Sequence, residues 1–331
     1  MKIIIDSAIP FIESVFEPYA EVVYANGGSF TPSLVCDADV LIIRTRTRCD
    51  AELLEGSKVR LIATATIGYD HIDMEYCHSK GIEVTTAAGC NARGVLQWFG
   101  AAMVLCACEG GWSPSQRRVG VVGVGNVGSL IAQYCRSWGF EVLCCDPPRA
   151  ERGEEGFVSL DELLPRVDIL TLHTPLLEST RHLINSENIK RLKPLALVVN
   201  TSRGECLETR AILENPQHSY ALDVWEREPE IDCEVLRRSV ISTPHIAGYS
   251  MQGKANGTAM VVGSVARHFG LPIEGWYPDV ERNEGAMIGW EELIRSVSQR
   301  FDIVAESKNL KDNPEEFEGV RNSYNYRNEY F

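Results

Sequence analysis

Positive charge is in short supply: 32 Lys and Arg stand against 46 Asp and Glu, a formal charge of −14. Holding a nucleic-acid backbone needs a surplus of cations, so nucleic acid is excluded as a main partner. The same deficit makes an anionic substrate awkward. Any anion site has to be locally basic inside an acidic molecule. Cys-x-x-Cys is also missing. The 11 cysteines are odd in number and scattered through apolar segments, with only Cys106/Cys108 and Cys144/Cys145 near each other. That usage points to free thiols in a reducing cytoplasm, and no metal site is expected. Tandem repeats and low-complexity tracts are absent. Long apolar runs are nearly so: Ala92–Cys108, about 17 residues, reaches only the lower edge of membrane length. Gly94 and Gly100 interrupt it and Arg93 and Gln97 lie within it. A buried helix linking two domains is expected there, and no membrane partner. The opening Met1–Asp6 is too short for a signal peptide and reads as a first strand.

What is present is an ordinary globular balance, 44% hydrophobic and 24% charged over 331 residues, enough for two or three domains. The first ninety residues alternate short apolar strands (Lys2–Ile5, Glu21–Tyr24, Val40–Arg44, Leu61–Thr64, Glu83–Thr85) with helical stretches such as Pro10–Phe16 and Asp73–Lys80. Such alternation implies a parallel sheet with helices on its faces. From Arg118 a second alternation begins: Val119–Val122, Glu141–Cys145, Ile169–His173, Ala196–Asn200, Tyr220–Val224 and Val240–Thr243. Its strands are more uniformly apolar, as in a doubly wound sheet buried on both faces. After about residue 272 the character changes again. Trp276–Asn283 is turn-rich, and Glu291–Arg327 is charged and helical in composition, which reads as a small oligomerisation element.

The strongest local signal is Gly123-Val124-Gly125-Asn126-Val127-Gly128, a G-x-G-x-x-G directly after an apolar strand and before a helical run. Glycines there allow a tight turn and close approach of backbone to a pyrophosphate, which the following helix N-terminus attracts. The next strand ends at Asp146, 23 residues after Gly123. An acid at that place suits the adenosine ribose and repels a 2′-phosphate, so NAD is favoured over NADP. Arg149, close by, is a mild counter-signal.

Three further motifs follow later strands, where an open α/β sheet places its active site: Asn200-Thr201-Ser202-Arg203-Gly204, Asp223-Val224-Trp225-Glu226-Arg227-Glu228, and Pro244-His245-Ile246-Ala247-Gly248. Oxidising a hydroxy acid takes a cation for the carboxylate, a base for the hydroxyl proton and a group to orient that base. Arg203 offers a bidentate fork. His245 is the natural base at neutral pH, and Glu228 can orient it. Singly, each also reads as an ordinary loop, cap or surface residue; it is the set of three, downstream of the glycine turn, that points to chemistry. Among the other histidines, His71 can help shape its loop, His173 can fix a strand end, and His78, His182, His218 and His268 read as surface residues.

These motifs resemble the D-isomer-specific 2-hydroxyacid dehydrogenase family, in which Arg, Glu and His occur in this order. The resemblance runs to about residue 272. It includes Thr66-Ile67-Gly68-Tyr69-Asp70-His71, Cys145-Asp146-Pro147-Pro148-Arg149 and His245-Ile246-Ala247-Gly248-Tyr249. It implies two doubly wound parallel-sheet domains of Rossmann or flavodoxin type with a small C-terminal α/β dimerisation region. Residues 1–93 with about 251–272 would bind substrate, 94–250 would bind NAD, and 273–331 would form a homodimer. It also implies that Arg203, Glu228 and His245 are catalytic, and that Asn126, Val127, Asp146, Thr174, Asp223 and Gly248 contact NAD beside Gly123, Gly125 and Gly128. Thr45, Thr66 and Tyr249 would contact substrate. Thr45 stands where serine is expected, and the hydroxyl survives.

The substrate implied is a small phosphorylated hydroxy acid, anionic at both ends. Arg203 answers the carboxylate. For the phosphate, Arg44-Thr45-Arg46-Thr47-Arg48 follows a strand, and if it stays extended its three arginines share one face. Arg44 is the first candidate. Solvated loop arginines are an equal alternative for this run. A relative acting on phosphoglycerate, glycerate or lactate, and a non-catalytic NAD-sensing corepressor, are the competing functional readings.

Overall fold

Two separate sheets, every strand parallel to its neighbours, organise the computed structural model, which describes residues 1–331. The chain divides into two compact units, Met1–Asn91 with Met251–Arg282, and Ala92–Ser250 with Asn283–Phe331.

The first unit carries β1 (Lys2–Asp6), β2 (Glu21–Ala25), β3 (Val40–Ile43), β4 (Leu61–Thr64) and β5 (Glu83–Thr86) in the order β2-β1-β3-β4-β5. Successive side chains of a strand point to opposite faces, and here both faces are covered. Ile4, Leu41, Ile43 and Ile62 bury with Leu53, Leu54 and Cys77. Ile3, Ile5, Ile42 and Leu61 bury with Val261, Val262 and Val265 from the helix Met251–Phe269. That double burial is why the central strands read as continuous apolar runs. The helix Met74–Ser79 begins where the Asp73 carboxylate accepts from the Tyr76 amide, as its sequence suggests. Pro10–Phe16, expected to be helical, is instead a run of turns. Phe11 and Ser14 adopt φ of 64° and 65°, a left-handed conformation that an α-helix of L-residues cannot contain. Ile9, Ile12 and Phe16 still reach the core, so the apolar spacing is satisfied without a helix.

The second unit carries β6 (Arg118–Val122), β7 (Glu141–Cys145), β8 (Ile169–Leu172), β9 (Leu197–Asn200), β10 (Ser219–Leu222) and β11 (Ile241–Ser242) in the order β11-β10-β9-β8-β6-β7. The direction of winding reverses between β6 and β8, which creates a crevice at their carboxyl ends. The helix Ala92–Gly110 opens this unit and is buried along most of its length. No helix of the chain is long and apolar enough to cross a membrane.

The tail differs from the separate α/β region expected over 273–331. Its first residues belong to the first unit and Asn283–Phe331 to the second. It holds the helices Trp290–Arg300, Ile303–Asp312 and Phe317–Asn322 and no strand. Leu293, Val297, Phe301 and Phe331 bury in one cluster with Trp98, Tyr134 and Trp138, while Leu310 and Phe317 join a second with Leu170 and Val198. A segment of this length has too little apolar surface to make a core of its own; it completes that of the second unit.

Candidate functional site

The turn after β6 is built from its glycines. Gly123 has φ 82°, and a Cβ on it would lie 2.8 Å from the His173 carbonyl. A Cβ on Gly128 would lie 1.9 Å from the Gly123 oxygen. Gly125 faces open space and supplies no side chain to cap the helix Asn126–Trp138. The first amides of that helix, those of Asn126, Val127 and Gly128, are therefore left for an anion.

Asp146, half-buried at the end of β7, accepts from the Val124 amide at 2.7 Å and from the Arg149 amide at 3.1 Å. Arg149 is occupied: Nε and Nη2 donate to Glu154 at 2.7 and 2.5 Å and Nη1 to the Val124 carbonyl at 2.8 Å. A cation committed in this way is not offered to a 2′-phosphate. The cradle therefore fits NAD: bare glycine backbone, an uncapped helix start and an acid at the ribose position. Thr174 follows β8 on the other side of the crevice, its Oγ1 3.4 Å from Cys206 Sγ. The His173 imidazole meets Thr171 Oγ1 at 2.8 Å and Thr201 Oγ1 at 3.4 Å. Desolvation pushes this imidazole below its usual range, so it serves neutral, bracing the strand end.

Asn200 shapes the loop after β9. Its side chain donates to the Arg203 carbonyl at 2.9 Å and accepts from the Ser202 amide and hydroxyl at 3.1 and 2.8 Å. Arg203 is half-buried, with Nη1 donating to the Ser202 carbonyl at 2.8 Å. After β10, Glu228 accepts from the Trp225 amide on Oε1 at 2.9 Å and meets His245 Nδ1 on Oε2 at 2.8 Å. Burial would raise the Glu228 carboxyl, but the charge and hydrogen bond of His245, the Trp225 amide and the nearby Arg321 outweigh it. The group is held below the usual carboxylate range. It is thus an ionised partner for the imidazole, as an orienting group must be.

Asp223 is expected at the cofactor, yet its carboxylate is spent on the loop that carries His245. It accepts from Thr243 Oγ1 at 2.6 Å, the Ile246 amide at 2.8 Å and the Ala247 amide at 2.9 Å, while its own carbonyl accepts from the His245 amide at 2.7 Å. Burial raises the Asp223 carboxyl against the pull of His245 and these donors. The anchoring is needed because His245 holds φ at 58°, a strained backbone for an L-residue that persists only when its surroundings enforce it. Buried Arg327 reinforces the same loop, donating to the carbonyls of Ile246 at 3.2 Å, Tyr249 at 3.1 Å and Ala247. Gly248 and Tyr249 follow, both half-buried.

Arg321 is a residue that composition and motif did not single out. It comes from the C-terminal helix Phe317–Asn322, donates from Nε to Tyr249 Oη at 3.1 Å and lends its charge to Glu228. No motif marks it; a lone arginine in a charged tail has no signature.

Within the first unit, the arginine run does not stay extended. Thr45 and Arg46 form a turn, closed by the Thr47 amide donating to the Arg44 carbonyl at 3.2 Å. Thr47 is buried, donating to the Gly27 carbonyl at 2.9 Å. The shared basic face is therefore not formed: Arg44 donates to the Ala8 carbonyl at 3.1 Å and Arg48 pairs with Asp50 at 2.6 Å. Thr45 is exposed after β3, and Thr66 after β4 lies 2.7 Å from Thr64 Oγ1. Three histidines expected at the surface are engaged: His218 is buried, His182 meets Glu226 at 2.7 Å, and His268 meets Glu83 at 2.7 Å.

Residues 107–247 match the family model for the NAD-binding domain of D-isomer-specific 2-hydroxyacid dehydrogenases. The chain is 43% identical to an erythronate-4-phosphate dehydrogenase from Bacteroides thetaiotaomicron, across 99% of this chain and 97% of that one. It is 37% identical to its namesake from Escherichia coli, across 100% and 92%. Among solved structures, NAD+-bound 3-phosphoglycerate dehydrogenase of Entamoeba histolytica superposes with a TM-score of 0.71 at 24% identity, covering 86% of this chain and 99% of that one. That last similarity speaks to the fold.

Proposed function

This chain belongs to the erythronate-4-phosphate dehydrogenases of the D-isomer-specific 2-hydroxyacid dehydrogenase family, and we propose that it oxidises 4-phospho-D-erythronate to (3R)-3-hydroxy-2-oxo-4-phosphooxybutanoate in pyridoxal 5′-phosphate biosynthesis. Its cofactor is NAD, which when bound supplies the acceptor for the hydride leaving C2.

The chain's own residues supply geometry and proton chemistry. Arg203 holds the substrate carboxylate in its planar fork and so fixes which face of C2 is presented. The hydroxyl proton passes to His245 Nε2 as the C2–O bond becomes a carbonyl and the C2 hydrogen departs with its electron pair. Glu228 holds Nδ1–H, which leaves Nε2 as the accepting nitrogen, and its negative charge stabilises the imidazolium that forms. The 2.8 Å bond between His245 and Glu228 is the observation that carries this reading. Asp146 takes the adenosine ribose and the glycine turn the pyrophosphate. Thr174 and Gly248 border the cofactor, while Thr45, Thr66 and Tyr249, with Arg44, act as substrate contacts. We further propose a cytoplasmic homodimer that pairs through the C-terminal segment.

The test is a panel of hydroxy acids with NAD, followed by the ultraviolet absorbance of the reduced nicotinamide. 4-Phosphoerythronate should be oxidised in preference to unphosphorylated erythronate, phosphoglycerate, glycerate and lactate. Preference for another acid would overturn the substrate assignment, and no turnover of any would overturn the enzyme reading.

A further inference from the structure

We infer that Arg321 is the cation that binds the phosphate end of the substrate, with Tyr249 beside it. The inference rests on the reading of this site as a hydroxy-acid dehydrogenase and adds a residue to it.

Four observations on the second unit converge. Arg321 is half-buried, so an anion meeting it exchanges less water than at the surface. Its Nε is spent on Tyr249 Oη at 3.1 Å, which orients the guanidinium and leaves Nη1 and Nη2 with no acceptor in this unit. It forms no ion pair with a carboxylate there, although Glu228 and Asp223 are near enough to feel its charge. Finally, its charge reaches Glu228, the partner of His245, and its guanidinium carbon lies 5.8 Å from the centre of the Tyr249 ring.

Many other arginines form ion pairs: Arg149 with Glu154, Arg191 with Asp161, Arg210 with Glu214 and Arg237 with Glu234. Two unspent donors of one planar group match two oxygens of a phosphate in a fork. Arg203 cannot serve both ends of the substrate, since one fork holds one anion. The arginine run after β3 is a weaker source, because Arg44 and Arg48 already donate to protein oxygens. Arg321 thereby supplies the local positive field that the net charge withholds.

The test compares wild type with Arg321→Gln and Arg321→Lys, each loaded with NAD, in two measurements. Steady-state kinetics with 4-phosphoerythronate should show KM raised roughly 10–100-fold in Arg321→Gln, the cost of losing charge-assisted bonds, with kcat changed far less. Calorimetric titration with inorganic phosphate should show weaker binding by a similar factor, and Arg321→Lys should restore part of both. An unchanged KM and phosphate affinity would overturn the inference while leaving the dehydrogenase reading intact. A fall in kcat alone would make Arg321 a support for Glu228 and would overturn it too. The phosphate titration needs no turnover. A wild type that binds phosphate through Arg321 but does not oxidise 4-phosphoerythronate would sink the function and leave the anion site standing. Should Arg321→Gln fail to fold, Arg321→Lys, which keeps charge and length, decides the matter: wild-type phosphate affinity with a lost fork would refute bidentate binding.

Discussion

Gly204→Ala removes no chemical group from the site, yet it should cripple it. Gly204 directly follows Arg203, and a Cβ there would lie 1.9 Å from the Trp225 carbonyl carbon, 2.0 Å from its oxygen and 2.3 Å from the Glu226 nitrogen. All three are backbone atoms, so no side chain can swing away. Restoring ordinary contact of 3.4 Å means driving the Arg203 loop and the Trp225–Glu228 loop about 1.5 Å apart, and a misplacement of about 1 Å can cost 10²-fold in rate. The Glu228 carboxylate moves with its loop because it is bound to the Trp225 amide. We therefore expect kcat/KM for 4-phosphoerythronate to fall by roughly 10²-fold, with NAD affinity, measured by fluorescence quenching, nearly unchanged because the glycine turn lies elsewhere. Overpacking should also lower the melting temperature, at a cost of about 1–3 kcal/mol. Activity within twofold of wild type in a folded variant would refute the claim that this contact sets the spacing of the two loops.

Other expectations follow from single groups. His245→Ala should lose roughly 10²–10⁴ in turnover while keeping NAD affinity; unchanged turnover would remove it as the base. Arg203→Lys should be damaging because a point charge cannot replace a planar fork, and near-normal KM and kcat would contradict that. Glu228 is held low in the folded protein, so the stability it contributes is present above the ordinary carboxylate range and is lost as pH falls through its folded value. The difference in melting temperature between wild type and Glu228→Gln should shrink as pH drops below about 4.5. A difference that grew on acidification would reverse the sign of this argument.

Much of the fold was legible because buried parallel strands announce themselves as apolar runs. Ile3–Ile5 and Leu61–Ala63 are covered on both faces, and that double burial demands such continuity. The glycine turn was legible for a steric reason: only glycine tolerates the 1.9 Å approach at position 128. Pro10–Phe16 misled because apolar spacing constrains which residues are buried and not the path between them. The tail misled more deeply. Its composition is helical, but which core its apolar residues would complete depends on partners far away in the chain, such as Trp98 and Tyr134 for Phe331. Arg321 and Arg327 were invisible for the same reason, since their roles consist of contacts to Tyr249 and the 246–249 loop. The surroundings of Asp223 were not legible: a sequence shows a carboxylate but not that the Thr243 hydroxyl and the Ile246 and Ala247 amides will donate to it.

In the proposed reaction, hydrogen leaves C2 of 4-phosphoerythronate as hydride while the hydroxyl proton leaves separately to His245. Substrate carrying deuterium at C2 tests it most directly, with the reduced cofactor isolated and analysed by mass spectrometry. The label should be recovered in the nicotinamide ring, one deuterium for each substrate consumed. Label released to water, or retained in the product, would contradict it.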